Sequence, residues 1–97
     1  MAVGADATEE DQVRDLFREV VKTFGHLDGL YHVAGGSGRR WGDGPWHTIT
    51  DEGWQKTLRW NLDSVFLSNR SAIHQFLEQK TGGAILNCGS CLLYTSD

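Results

Sequence analysis

Gly83-Ala84-Ile85-Leu86-Asn87-Cys88-Gly89-Ser90 is a short aliphatic run held between glycine turns. Five residues are too few for a helix, and the run lacks the strict alternation of a strand wet on one side, so it reads as a strand covered on both faces. Working upstream, Thr81-Gly82-Gly83 ends a long helix that starts at Thr50, before Asp51 and Glu52, and runs to about Gln79. Its apolar stripe is Leu58, Leu62, Val65, Phe66, Ala72, Ile73 and Phe76. Before it lies a polar, glycine-rich loop over 35–49 carrying Arg39, Arg40, Trp41 and Trp46. The loop follows a second unalternating run, Leu27 to Ala34, which reads as another strand.

The remaining element is a helix opened by Thr8, where a hydroxyl can cap free N–H groups and Glu9, Glu10 and Asp11 suit the positive end of the dipole. Val13, Leu16, Phe17, Val20, Val21 and Phe24 recur at helical spacing, and Gly25 follows as a C-cap. The order is therefore helix, strand, helix, strand. Two strands joined by a helix form a parallel pair of an α/β fold. Right-handed crossovers stepping one way place both helices on one face. The opposite face would be bare, so the sequence reads as part of a larger sheet.

The 97 residues carry a net charge of −4, 39% hydrophobic and 23% charged residues, twelve glycines and one proline. An acidic chain has no electrostatic footprint for nucleic acid, where a basic face meets phosphate. No apolar run approaches the roughly 20 residues that span a bilayer, and no signal peptide opens the chain. Two cysteines without an export signal point to reduced thiols and a cytoplasmic location.

Four groups of residues stand in a common register: Asp6-Ala7-Thr8, Ala34-Gly35, Trp54 with Asn61-Leu62 and Phe66, and Gly83 through Ser90. In order and spacing they resemble the short-chain dehydrogenases/reductases, over residues 5–90. The resemblance implies a partial Rossmann fold, helix–strand–helix–strand of a doubly wound parallel sheet, and NAD or NADP as cofactor. It implies that Asp6 and Ala7 contact the adenine, with the Asp6 carboxylate accepting from its amino group. The other reading of Asp6 is a contribution to the cap before the helix. Ala34-Gly35 resembles the end of the family's Asn-Asn-Ala-Gly turn, where small residues let the cofactor approach the backbone. Here His32-Val33 replace the two asparagines, leaving a backbone role at 34 and 35.

Asn61 lies in mid-helix on the apolar side, where an amide must be hydrogen-bonded to be tolerated. The resemblance makes it a catalytic residue that helps position the lysine of a proton relay, at a local break in the helix. Ser90 follows the strand at its carboxyl end, where open parallel sheets bind ligands. By resemblance it is catalytic too, hydrogen-bonding a small alcohol or carbonyl substrate while hydride passes to or from the nicotinamide. The alternative is a non-catalytic nucleotide-binding or regulatory module on the same fold, which would not need Asn61 and Ser90 together. A third possibility, an interaction domain anchored on the tryptophans, requires Trp41, Trp46, Trp54 and Trp60 on one exposed face.

Some apparent motifs fail. Cys88-Gly-Ser-Cys91 has the spacing of a metal or redox pair but no second ligand pair. Tyr94 lies too near Ser90 to be the family's tyrosine, which follows about a dozen residues later. No metal site is expected, and His26, His47 and His74 are scattered singly. Residues 91–97 resemble translated adapter sequence, so residues 1–90 are read as the central fragment of an NAD(P)-binding domain and 91–97 as a non-native tail. The fragment by itself is expected to be inactive. Trp60, Leu67 and His74, roughly opposite the stripe at about 100° per residue, suggest subunit contact. The parent is accordingly expected to be a homodimer or homotetramer through the long helix.

Overall fold

Helix α1 spans Glu10–Phe24, with Glu10 and Asp11 beside the unpaired N–H groups of its first turn. Gly25 closes it in the left-handed region, φ 84°, its N–H donating to the Val21 carbonyl at 2.7 Å. The start differs from the expectation. Thr8 does not cap: its hydroxyl donates to Asp6 Oδ1 at 2.7 Å, and the cap position falls to Glu9, whose side chain makes no capping bond. A carboxylate two residues away outcompetes the helix end for the hydroxyl.

The structure, a computed structural model, describes residues 1–89; Ser90 and the segment 91–97 lie outside the described residues. Strands β1 (Gly29–His32) and β2 (Ala84–Asn87) pair in parallel, with Gly29 opposite Ala84 and His32 opposite Asn87. β1 is shorter than the run from Leu27 to Ala34 because side chains take the flanking backbone groups. The Leu27 N–H donates to Gln79 Oε1 at 3.1 Å and its carbonyl accepts from Gln79 Nε2 at 2.6 Å.

The long helix is a continuous rod in three parts: α2 (Asp51–Leu58), a π-helical turn at Arg59–Asp63, and α3 (Ser64–Gln79). Thr50 caps α2 as its sequence predicts, accepting from the Gly53 N–H at 3.0 Å. At the far end Lys80, at φ 57°, turns the chain toward β2.

α3 lies on the sheet by only part of its expected apolar stripe, Ala72 and Phe76. The buried residues are Ser64, Ser68, Ala72 and Phe76, spaced every four. Leu62, Phe66 and Ile73 are exposed, as is Phe24 on α1. The helix approaches β1 closely, and hydroxyl- and methyl-sized side chains permit that approach where larger ones would hold it off. At Gly83 a side chain would strike the Phe76 ring, the added carbon falling 2.2 Å from it.

Leu30, His32 and Ile85 point toward α3. Tyr31 and Leu86 point away and are 65% and 62% exposed, giving the sheet the bare second face that the topology anticipates. α1 packs beside α3 and is tied to the long helix by ion pairs from Arg59 to Glu9 and from Arg70 to Glu10. Leu67 and His74 line the groove against α1, whereas Trp60 packs on Trp41, so the three do not form one free face.

Candidate functional site

The π-turn carries Asn61. In this turn the Ser64 N–H donates five residues back, to the Arg59 carbonyl. The Trp60 carbonyl accepts from the Ser64 hydroxyl instead. Such single-turn bulges break the regular ladder and often occur where a helix serves a site. The local break that the resemblance implies is therefore present.

The Asn61 side chain is exposed rather than buried, yet both its amide hydrogens and one lone pair of its oxygen are engaged. Its Nδ2 donates to the Gly36 carbonyl and to the Thr57 carbonyl, each at 2.8 Å, and its Oδ1 accepts from the Gly36 N–H at 3.0 Å. Paired bonds to the N–H and carbonyl of one residue clamp the backbone beyond β1 onto the helix. The clamp also explains the glycine before it: a Cβ on Gly35 would sit 2.6 Å from Asn61 Oδ1. Asn61 and the Ala34-Gly35 turn, 26 residues apart in sequence, thus form one unit.

Beneath that unit lies a polar layer at the carboxyl ends of both strands. His32 is only 5% exposed. Its Nδ1 meets the Ser68 hydroxyl at 2.8 Å, and its Nε2 lies 3.1 Å from the Ala34 carbonyl and 3.4 Å from the Ser64 hydroxyl. Across the register, Asn87 and Asn69 exchange side-chain amide bonds at 2.9 and 3.1 Å. That pair anchors β2 to α3 just before the chain reaches Gly89. The departure of His32 from the family's asparagine leaves room for a side-chain role after all. Ser64 and Ser68, one helical turn apart and in line with Ala72, were the available sequence signal: small polar residues at that spacing mark a close approach to a buried polar partner.

Asp6 stands at the start of α1, where its bonds match the reading of it as part of the entry to that helix. Its Oδ1 accepts from the Thr8 N–H at 2.9 Å and from the Thr8 hydroxyl, and its own carbonyl accepts from the Glu9 N–H, so it does organise the entry to the helix. These bonds, the hydroxyl first, hold its carboxyl below the usual range. A carboxylate offers about four lone-pair sites, so capacity for a further donor remains. Asp6 also lines a cleft of about 190 Å³ with Trp41, Lys56, Arg59 and Trp60. The Trp60 ring passes within 3.5 Å of the carbon a side chain would add at Gly36, which connects this cleft to the Asn61 clamp. Ala7 is half-buried beside Asp6.

The tryptophans form two pairs. Trp41 and Trp60 meet edge to face at 4.8 Å, with Lys56 and Arg40 over the Trp41 ring, while Trp46 and Trp54 lie 5.8 Å apart. Backbone contact seats the loop on α2, because a Cβ on Gly53 would lie 2.4 Å from the Gly42 carbonyl carbon. A cavity of about 810 Å³ between α1 and α3 shares no residue with the strand ends and is a groove between helices.

The structure therefore brings together Ala34, Gly35 and Asn61, and places Asp6 in the adjoining cleft. Ser90 lies outside the described residues. Among the described residues no cluster of His, Cys, Asp and Glu could hold a metal ion, and no helix is long and apolar enough to cross a membrane.

Comparison with known proteins gives this arrangement a family. Residues 1–94 match the family described as Enoyl-(Acyl carrier protein) reductase. The chain is 31% identical over 88 residues to 3beta-hydroxysteroid dehydrogenase 2 of Eggerthella lenta, covering 91% of this chain and 33% of that one. It superposes on a short chain dehydrogenase from Mycobacterium smegmatis with a TM-score of 0.86 at 33% identity, covering 99% of this chain and 38% of the other. It likewise matches ElxO, solved with NADP bound, with a TM-score of 0.76 at 29% identity, covering 88% and 33% of the two chains. The chain spans about a third of the length of the curated relatives it matches. With a parallel sheet, a bulged helix and a clamped strand-end turn in the expected register, the chain belongs to the short-chain dehydrogenase/reductase family and carries part of its Rossmann fold.

Proposed function

We propose that the protein containing this segment is an NAD- or NADP-dependent oxidoreductase that interconverts a small alcohol and its ketone or aldehyde. The observation that carries this reading is the clamp between Asn61 and Gly36, which fixes the backbone of Ala34-Gly35 at the carboxyl end of β1. Ligands of open parallel sheets bind at that end. The residues fit a dinucleotide: a small-residue turn for backbone approach, and a carboxylate at Asp6 with spare acceptor capacity for an adenine amino group.

The nicotinamide cofactor supplies the hydride acceptor or donor when bound. The residues of this chain orient and polarise. Ala34 and Gly35 limit how closely the cofactor can lie against the sheet, and Asn61 holds them there while serving the proton relay from its helix break. Ser90 donates a hydrogen bond to the substrate oxygen, drawing electron density from the carbon that exchanges hydride. The subunits pair through the long helix, whose Leu62, Phe66 and Ile73 stand exposed. Cys88 is a free thiol, in keeping with a reducing, cytoplasmic setting.

The test is expression of the whole gene around this segment. NADH and NADPH binding, followed by turnover with a panel of ketones and aldehydes, should both be positive. A full-length protein that binds neither cofactor, or that binds one and reduces no carbonyl while Ser90→Ala changes nothing, would sink the reading.

A further inference from the structure

His32 is the one described residue with a nearly buried ring whose two nitrogens both meet partners on other parts of the fold. It stands at the last position of β1, under α3, two residues before the Ala34 carbonyl that it touches. An uncharged imidazole has one N–H donor and one acceptor nitrogen, and the partners decide which is which. On the Nε2 side stand the Ala34 carbonyl, which can only accept, and the Ser64 oxygen, whose proton goes to the Trp60 carbonyl. Two acceptors require the proton on Nε2. On the Nδ1 side stands the Ser68 hydroxyl at 2.8 Å, nearer than its other acceptor, the Val65 carbonyl at 3.3 Å, so the shorter bond goes to the ring. The opposite tautomer would set a bare Nε2 against two oxygens and leave the Ala34 carbonyl without its donor. All three contacts therefore select the same ring.

We propose that His32 is a positioning residue for the cofactor: its Nε2–H holds the Ala34 carbonyl from below, as Asn61 holds Gly36 from the side. The inference rests on the functional reading above, in which Ala34-Gly35 is the wall against which the cofactor lies. The turn is thus fixed at the Ala34 carbonyl and at both backbone groups of Gly36 by two elements, the ring on β1 and the amide on the π-turn. Ser68 orients the ring through Nδ1, in the way a second partner commonly fixes a histidine's tautomer. A side chain that fills the space without donating leaves the carbonyl unheld and lets the turn shift.

Two measurements test this. In the full-length protein, a long-range proton–nitrogen spectrum of the imidazole should show His32 protonated on Nε2 and unprotonated on Nδ1; the Nδ1–H tautomer overturns the proposal. In the full-length protein, His32→Phe should raise the KM for the dinucleotide about tenfold while kcat stays within about twofold. A tenfold change corresponds to about 1.4 kcal/mol, the size of one lost bond. His32→Asn, which keeps an N–H donor, should recover most of that loss. An unchanged KM in His32→Phe overturns the proposal, as does an equal loss in the phenylalanine and asparagine variants. A wild-type protein that binds no dinucleotide overturns the functional reading instead, and the tautomer spectrum still decides whether His32 holds Ala34.

Discussion

The two faces of the small sheet are built on opposite rules. The face under α3 carries His32, buried beside Leu30 and Ile85, and meets Ser64, Ser68 and Ala72 of the helix, all small and buried. The open face shows Tyr31, Val33 and Leu86, large, apolar and more than half exposed. Apolarity alone would not put His32 and the two serines inside and Tyr31 and Leu86 outside. Where α3 comes closest to the strand, at Ser64, Ser68 and Ala72, close packing selects for size before it selects for hydrophobicity; farther along, Phe76 fits because Gly83 has no side chain to meet it. The polar groups are tolerated because each finds a partner there, and their desolvation is offset by those bonds.

Overpacking should break this contrast most sharply. Ala72 is fully buried against the sheet, so Ala72→Phe should destabilise the chain by about 3 kcal/mol in urea unfolding. Leu86→Ser on the open face should shift stability by about 0.5 kcal/mol or less and improve solubility by removing exposed apolar surface. Equal losses at the two positions would erase the distinction.

The clamp comes next. Asn61→Leu removes three hydrogen bonds from an exposed position and should cost about 1–2 kcal/mol. Its more telling readout is amide exchange: the Gly36 N–H should lose protection while the amides of β1 and β2 keep theirs.

A third variant should move the other way. Thr57 Oγ1 is buried and finds no hydrogen-bond partner among the described residues, and Thr57→Val removes that hydroxyl at nearly constant volume. Stability should rise by about 1 kcal/mol; a fall would show that the hydroxyl is satisfied in solution.

The smallest effect belongs to Asp6. Thr8→Ala removes the hydroxyl that contributes most to lowering its carboxyl, so a carbon-detected titration should find the Asp6 pKa moved up toward the ordinary carboxylate range. The sign follows from linkage. A lowered carboxyl contributes stability above its unfolded value and loses it as pH falls through the folded one. The variant should therefore show less acid-dependent loss than the parent chain.

Much of this was legible in the sequence. The two helices, the parallel strand pair and the half-covered sheet follow from helical spacing, glycine punctuation and the handedness of crossovers. Asn61, Ala34 and Gly35 were found by their register, and the structure joins them. What stayed hidden was rotational. Leu62, Phe66 and Ile73 look like core by spacing, but the π-turn and the small-residue contact turn the buried side of the helix toward Ser64 and Ser68. The two serines, inconspicuous one by one, acquire their meaning only opposite His32. Thr8 misled for a similar reason, since a nearer acceptor at Asp6 drew its hydroxyl away from the helix end.

The π-turn has a consequence for how the long helix could ever change length. One surplus residue in a single turn acts as a phase offset between two gears. Upstream, α2 is indexed to the loop through Gly53 against Gly42; downstream, α3 is indexed to the strands through Ser68 and Ala72. Deleting any one residue from Arg59–Asp63 would restore a regular ladder and rotate one segment by about 100° against the other. Gly53 and Ser68 could not then both engage. The apparent flaw in the helix is what allows two independently fitted surfaces to share one axle.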